Sequence, residues 1–437
     1  EAHRHSAEPN SMAAGWTGSV LRVTSAVSAS ERTGRRPWTH AASVYAAVLV
    51  AVTTAVVVGA AGPLAYPEKH DVSTFPMSWL FGGWFRYDGR WYDIIATDGY
   101  SFHGVDQQSA VAYFPGYPLL LRVLHAISSV DVRLLGTLVT IAFGLGVAIL
   151  FERWCREKAG PVVARCALVT FLLYPYAFYL FGAMYADALF LFAVLAAFLL
   201  LEHDHPILAG LAGAVASGTR PLGIAVIVGL VAVLLWKRRA VTGRGRSTRL
   251  SLRALRPGDA GVLLSVSGLV AYMTYLGVRF GHPFAFDEVQ RAQGWDQGSG
   301  PRTWFKITWF QQAKNLPGWT IEWLSHGRPD TFEKMLYAIT VLLQGALVLA
   351  FVVVAVLVWR RLGYGYGVFC LSALAIALIG TKDFQGTGRY LLTTFPCFLV
   401  LGAELVGRRR WRWTVWIASG ALLLAWSLAF GRGYYVA

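Results

Sequence analysis

Residues 79–100, WLFGGWFRYDGRWYDIIATDGY, gather carboxylates among aromatic rings. On one helix Trp84, Tyr87, Asp88, Trp91, Tyr92 and Ile95 fall at i, i+3, i+4, i+7, i+8 and i+11 and share a face. An aromatic helix of that kind lies in the bilayer interface. There an aspartate on the apolar side is costly unless it has a chemical task or a partner. Two readings of Asp88 follow. It caps or pairs locally with Arg86 or Arg90, or its carboxylate is available to take a proton. Other candidates are weaker. EHDH (202–205) has the composition of a metal cluster but sits on an expected inner turn, where a solvated loop is the simpler reading. His103, His282 and His326 are isolated. No DxD pair beside a soluble nucleotide fold, no GxGxxG and no P-loop follows a strand, which disfavours a nucleotide-sugar enzyme.

The elements that must position Asp88 are membrane spans. Of 437 residues, 56% are hydrophobic and 14% charged, with a mean hydropathy of +0.49; soluble domains carry about 25% charged residues. A soluble core of this size could not be covered by so few polar groups. Apolar runs predict spans near 41–62, 132–151, 162–181, 184–202, 206–220, 221–236, 259–280, 334–359, 363–381, 388–407 and 412–430. The expectation is an all-α polytopic membrane protein with about eleven transmembrane helices, within a range of 10–13. The run 111–127, with Pro115 and Pro118, is too short to cross and is read as re-entrant or interfacial.

Charge sets the orientation. The formal net charge is +15, and its basic residues cluster in short loops, so the positive-inside rule explains them without nucleic acid. Lys237, Arg238, Arg239, Arg244, Arg246, Arg249, Arg253 and Arg256 mark one cytoplasmic loop. Arg408, Arg409, Arg410 and Arg412 mark another, and Arg153, Arg156, Lys158 and Arg165 a third. Residues 63–110 are acidic by balance and 281–333 are mixed, so the long segments 63–131 and 281–333 are expected outside. Arg32, Arg35 and Arg36 put the N-terminus in the cytoplasm. Residues 1–40 are expected to be a tail, partly disordered or foreign to the native chain, and 41–437 a single transmembrane domain. Cys155, Cys166, Cys370 and Cys397 lie in or beside spans and are read as packing residues.

The 79–100 passage resembles the first outer-loop motif of the PIG-V family of mannosyltransferases, within the GT-C class of membrane glycosyltransferases. Further resemblances follow in order. AYFPGYPLLLR (112–122) is similar to the family's aromatic-Pro-x-Tyr-Pro segment. LLYPYAFYLFGAMYADALFL (172–191) is similar to its helix ending in a Tyr-x-acid turn, here Tyr185 and Asp187. SGTRPLGI (217–224) resembles a Thr-Arg-Pro-x-Gly turn. GHPFAFDEVQRAQGW (281–295) resembles the start of an outer loop, with Gln290 and Trp295 in place. GRYLLTTFPCFLVLG (388–402) resembles an Arg-Tyr-Leu…Phe-Pro helix. Asp187 stands where Glu is common, and YDG replaces WDA-like text; both keep the carboxylate.

The resemblance implies an inverting transfer of mannose from a polyprenyl-phosphate-mannose donor to a lipid-linked glycan or glycolipid, on the extracytoplasmic face of the plasma membrane. Such a transfer needs a carboxylate to take the acceptor's hydroxyl proton and cations to hold the departing phosphate. The resemblance thus implies Asp88 as base and Arg220 and Arg389 on donor phosphate. Asp187, Tyr390, Tyr92, Trp91, Tyr185, Gln290 and Trp295 are implied as supporting or substrate-binding residues. Each arginine could instead snorkel from a helix end, Arg389 could pair with Asp383, and Asp187 could cap the run it precedes. Trp295, Trp304, Trp309, Trp319 and Trp323 would shape an acceptor groove or form an aromatic belt. No metal or other cofactor is implied, and a monomer is expected. Alternatives are another polyprenyl-phosphate sugar such as arabinofuranose, or a lipid or glycan transporter. Against transport, the polar residues gather in outer loops rather than at the midplane.

Overall fold

The computed structural model describes residues 38–65, 74–242, 249–295, 297 and 300–436. The expected tail up to residue 37, parts of both outer segments and part of the basic loop 237–256 therefore lie outside the described residues, while residues 38–40 already belong to the first helix. Among these residues the chain is helical, apart from a two-residue antiparallel ladder that pairs Val241 with Leu250 and Thr242 with Arg249.

Among the described residues five helices are long and apolar enough to cross a membrane: Trp38–Ala60, Val132–Leu172, Pro257–Phe280, Pro329–Leu362 and Arg409–Gly431. A sixth arises if Thr387–Thr393 and Phe395–Val406, bent by 81° at their junction, count as one broken span. Their outward faces stay apolar, with Val50, Val58, Leu349, Val353 and Ile417 exposed, which suits lipid rather than water. The chain is a multi-pass membrane protein. The expected count of eleven spans is not confirmed among the described residues. Pro206–Ser217, Gly223–Lys237 and Tyr364–Gly380 are shorter apolar helices, below the roughly 20 residues a crossing needs.

Two local causes account for the difference. Val132–Leu172 breaks at Gly160 (φ 78°, ψ 170°) just before Pro161, a pair that a continuous helix cannot accommodate. The expected loop 152–165 is thus a helical corner. Helices also end at Leu172 and resume at Asp187, where spans to 181 and from 184 were expected. The intervening irregular stretch is buried almost throughout. Irregular backbone at membrane depth is tolerated only inside protein, and side-chain hydroxyls satisfy it here. Tyr45 Oη donates to Leu180 O (2.8 Å) and Thr140 Oγ1 to Ala183 O (3.0 Å).

The helix Asp187–Glu202 joins two ends of the bundle, about 24 Å apart at 1.5 Å per residue. One end is basic and knitted by ion pairs: Lys158–Glu202 (2.6 Å), Lys237–Asp204 (3.2 Å) and Arg361–Glu404 (2.5 Å). EHDH belongs to this end, with Tyr366 Oη donating to Glu202 (2.7 Å) and His203 beside Glu157 (3.3 Å). The other end carries Asp88. All four cysteines are buried and reduced.

Candidate functional site

Asp88 does not sit within the continuous helix its spacing predicts. Trp84 closes a separate 3₁₀ turn, Gly82–Trp84, and Tyr87 adopts φ 49°, ψ −110°. The helix Asp88–Thr97 begins after that turn, so Asp88 lies in its first turn, where the helix dipole favours a negative charge. Arg86 is not its partner. That guanidinium is buried, donates to Gly431 O (2.9 and 3.2 Å), Gly82 O and Phe85 O, and so ties the turn to the last helix. Arg90 is exposed.

Asp88 is instead held from distant parts of the chain. Arg389 Nη1 donates to Oδ2 (3.1 Å), Tyr113 Oη donates to Oδ1 (3.2 Å), and the Asp88 backbone N–H donates to Tyr185 Oη (3.3 Å). Behind this pair lies a second. Arg220 Nη1 donates to Asp187 Oδ1, and Asp187 Oδ2 is 3.9 Å from Arg389. Asp187 therefore acts as a counter-ion for both arginines, and Arg389 takes Asp88 rather than Asp383. Two acids and two arginines balance formally, as buried charges must. The side chain of Asp88 is 17% exposed against 6% for Asp187, so Asp88 is the carboxylate open to a visiting molecule.

Aromatic rings line the group. Arg389 lies over Tyr185 (5.1 Å), Tyr179 (5.4 Å) and Tyr390 (5.5 Å), and Arg220 lies over Tyr390 (4.9 Å). Tyr390 is thus shared by both cations. Burial, and then the nearby Arg389, lower the proton affinity of Arg220. Burial, and then Asp88, push the Tyr113 phenol well above its usual range, so it stays a donor. On the other side of Asp88, Trp91 stacks on Tyr113 (5.8 Å) and meets Trp295 (5.9 Å). Tyr92 is buried edge-on against Tyr113 (5.3 Å) and Tyr117 (5.1 Å), shaping the wall.

Local sequence explains how these side chains converge. SGTRP supplies a turn between Pro206–Ser217 and Gly223–Lys237, and Gly116 N–H donates to Gly218 O (2.8 Å). A Cβ on Gly116 would lie 2.3 Å from Thr219 Oγ1. Only glycine lets the 112–122 segment close on the turn that carries Arg220. The turn Thr387–Tyr390 is pinned likewise. Gly388 N–H donates to Gln344 Oε1 (2.8 Å), and a Cβ there would meet the Tyr176 ring at 2.7 Å.

The group thus brings together Asp88, Arg220, Arg389, Asp187, Tyr390, Tyr92, Trp91, Tyr185 and Trp295. Gln290 is different, since its Nε2 reaches Phe286 O on its own turn (3.4 Å). Tyr113 and Tyr179 are additions. Tyr113 lay within AYFPGYP, but nothing in that motif says its phenol turns to Asp88. Among the described residues no group of three or more His, Cys, Asp or Glu side chains could hold a metal. Chemically, the arrangement offers one accessible carboxylate, a buried and a largely buried guanidinium suited to an anion, and an aromatic platform.

No family model matches the chain. It is 33% identical to GPI alpha-1,6-mannosyltransferase 2 of Rattus norvegicus and 32% identical to that of Mus musculus. Each match covers 33% of this chain and 30% of the relative. The match spans under a third of these curated relatives' length. The crystal structure of ArnT from Cupriavidus metallidurans bound to undecaprenyl phosphate aligns with a TM-score of 0.44 and 16% identity, over 87% of this chain and 63% of that one.

Proposed function

We propose that the protein is a GT-C-type inverting mannosyltransferase. It moves mannose from a polyprenyl-phosphate-mannose donor to a lipid-linked glycan or glycolipid. The observation that carries this reading is the Asp88–Arg389 pair, backed by Asp187–Arg220 beneath an aromatic platform. The partial likeness to mannosyltransferases supports the choice of sugar.

In this mechanism the donor phosphate docks against Arg389 and Arg220, whose forks suit phosphate oxygens. Arg389 then divides its donors between phosphate and Asp88, opening the carboxylate to an acceptor hydroxyl. Asp88 takes the hydroxyl proton as that oxygen bonds to the anomeric carbon from the face opposite the leaving group. The bond from the anomeric carbon to the phosphate oxygen breaks, and the polyprenyl phosphate leaves with the electron pair, its charge met by the two arginines. Tyr113 and Tyr185 hold Asp88 in place, and Trp91 and Trp295 offer ring faces to the sugar. The basic turns about 24 Å away support a reaction on the non-cytosolic side, by the positive-inside rule.

The deciding experiment supplies purified protein in lipid nanodiscs with labelled polyprenyl-phosphate mannose and a membrane-lipid extract. Label is expected in a glycolipid, with the anomeric configuration inverted. Donor binding without any transfer or hydrolysis would overturn the reading.

A further inference from the structure

A hollow of about 410 Å³ is lined in part by Tyr337 and Tyr435, within the roughly 300–1,000 Å³ of ligand sites. Its roof is the helix Ile307–His326, which contributes Gln312 and Trp319 and buries none of its residues fully. Its floor is the first turns of Pro329–Leu362, with Glu333 and Tyr337, and the C-terminal residues Tyr434 and Tyr435. Three properties belong to a sugar site rather than to a lipid groove. The lining combines four aromatic rings with carboxylates, a pairing that offers ring faces to C–H bonds and acceptors to hydroxyls. Asp330 at the rim pairs with Lys334 (3.5 Å), so a cation is present as well. Gln312 Oε1 is buried with no hydrogen-bond donor among the described residues, a cost that a ligand hydroxyl would relieve.

The hollow also abuts the chemistry. Tyr435 packs edge-on against Tyr87 (4.8 Å, 85°), the residue immediately before Asp88, and Tyr87 Oη donates to Gly433 O. Burial, and then the charge of Asp88, push the Tyr435 phenol up. Tyr337 donates to Asp383, in the segment leading to Arg389. Tyr435 and Tyr337 thus tie the hollow's wall to the segments that carry Asp88 and Arg389.

We propose that this cavity binds the glycan headgroup of the acceptor, with Trp319 as stacking face and Glu333 and Gln312 as hydroxyl acceptors. The assignment rests on the transferase reading above, but its test is separate. Binding of methyl α-mannoside and of a methyl α-mannobioside, both water-soluble, is measured by saturation-transfer NMR on protein in nanodiscs. Wild type and Asp88→Asn are expected to bind the sugar alike, and Trp319→Ala and Glu333→Gln at least about fivefold more weakly, with thermal midpoints near wild type. No sugar binding to wild type, or equal binding by both cavity variants, would overturn the cavity assignment. So would loss of binding in Asp88→Asn alone, which would put the sugar at the charged group. Absence of transfer with intact, cavity-dependent binding would overturn the transferase reading and leave the sugar site standing.

Discussion

Arg389 reaches across 301 positions of sequence to hold Asp88, with Nη1 3.1 Å from Oδ2. The contact joins the end of the first outer segment's turn to a helix near the chain's end. It also makes each residue's function depend on the other, because a buried charge stripped of its partner is costly.

Asp88→Asn keeps the shape and an acceptor oxygen for Arg389 but removes the base. General bases contribute roughly 10²–10⁴-fold, so transfer is expected to fall at least about 100-fold, with expression retained. Radiolabel transfer measured beside a thermal midpoint checks this. Turnover close to wild type would remove Asp88 from the base position.

Tyr113→Phe tests the positioning contact. Hydrogen bonds to charged groups are worth about 1.5–3 kcal/mol, and Tyr113 donates to Asp88 from a half-buried ring. The expected result is a kcat about tenfold lower with donor KM unchanged. A rise in KM alone would mean that the phenol contacts the donor instead.

Arg220 and Asp187 are expected to behave as a coupled unit. Arg220→Ala leaves Asp187 with Arg389 as its remaining cation, and it should weaken donor use about tenfold or more. Arg220→Lys keeps the charge but not the fork, and should raise donor KM with a smaller loss of stability. In a double-mutant cycle with Asp187→Asn, contacting charges of this kind couple by about 0.5–3 kcal/mol. Zero coupling and an unchanged donor KM would return Arg220 to a snorkelling role.

How much of this was legible beforehand depends on the range of the interaction. Membrane character followed from composition, Asp88 stood out as an acid on an aromatic helix face, and Arg220, Arg389 and Asp187 were marked by the resemblance. Their pairing did not follow. Asp88 with Arg86 or Arg90 is the local choice, but a buried guanidinium takes the partners its backbone turn presents, and Tyr87 at φ 49° turns Arg86 toward Gly431. The helix beginning at Trp84 was lost for the same reason, since periodicity cannot register one residue of reversed φ. The count of spans misread 172–187 because buried irregular backbone has the same apolar composition as helix. Gln290 was carried by resemblance alone, and its amide serves its own turn.

Lys306 gives a prediction in pH. Its ammonium is buried at the C-terminal end of Tyr364–Gly380, donating to Thr381 O and Leu378 O (2.5 Å) over the Phe384 ring (4.9 Å). Burial lowers its pKa to about 8 from 10.5, with Asp383 opposing the shift. Between those two values the unfolded chain binds more protons than the folded one, so stability rises with pH across that window. Below about 8 both states are protonated and the cost of the buried charge stays constant. The thermal midpoint of wild type minus that of Lys306→Met is therefore expected to be flat up to about pH 8 and to climb toward pH 10. A difference that falls over that interval would mean the ammonium is stabilised by its carbonyl partners more than burial penalises it, and that Lys306 holds the 381–390 segment as a permanent cation.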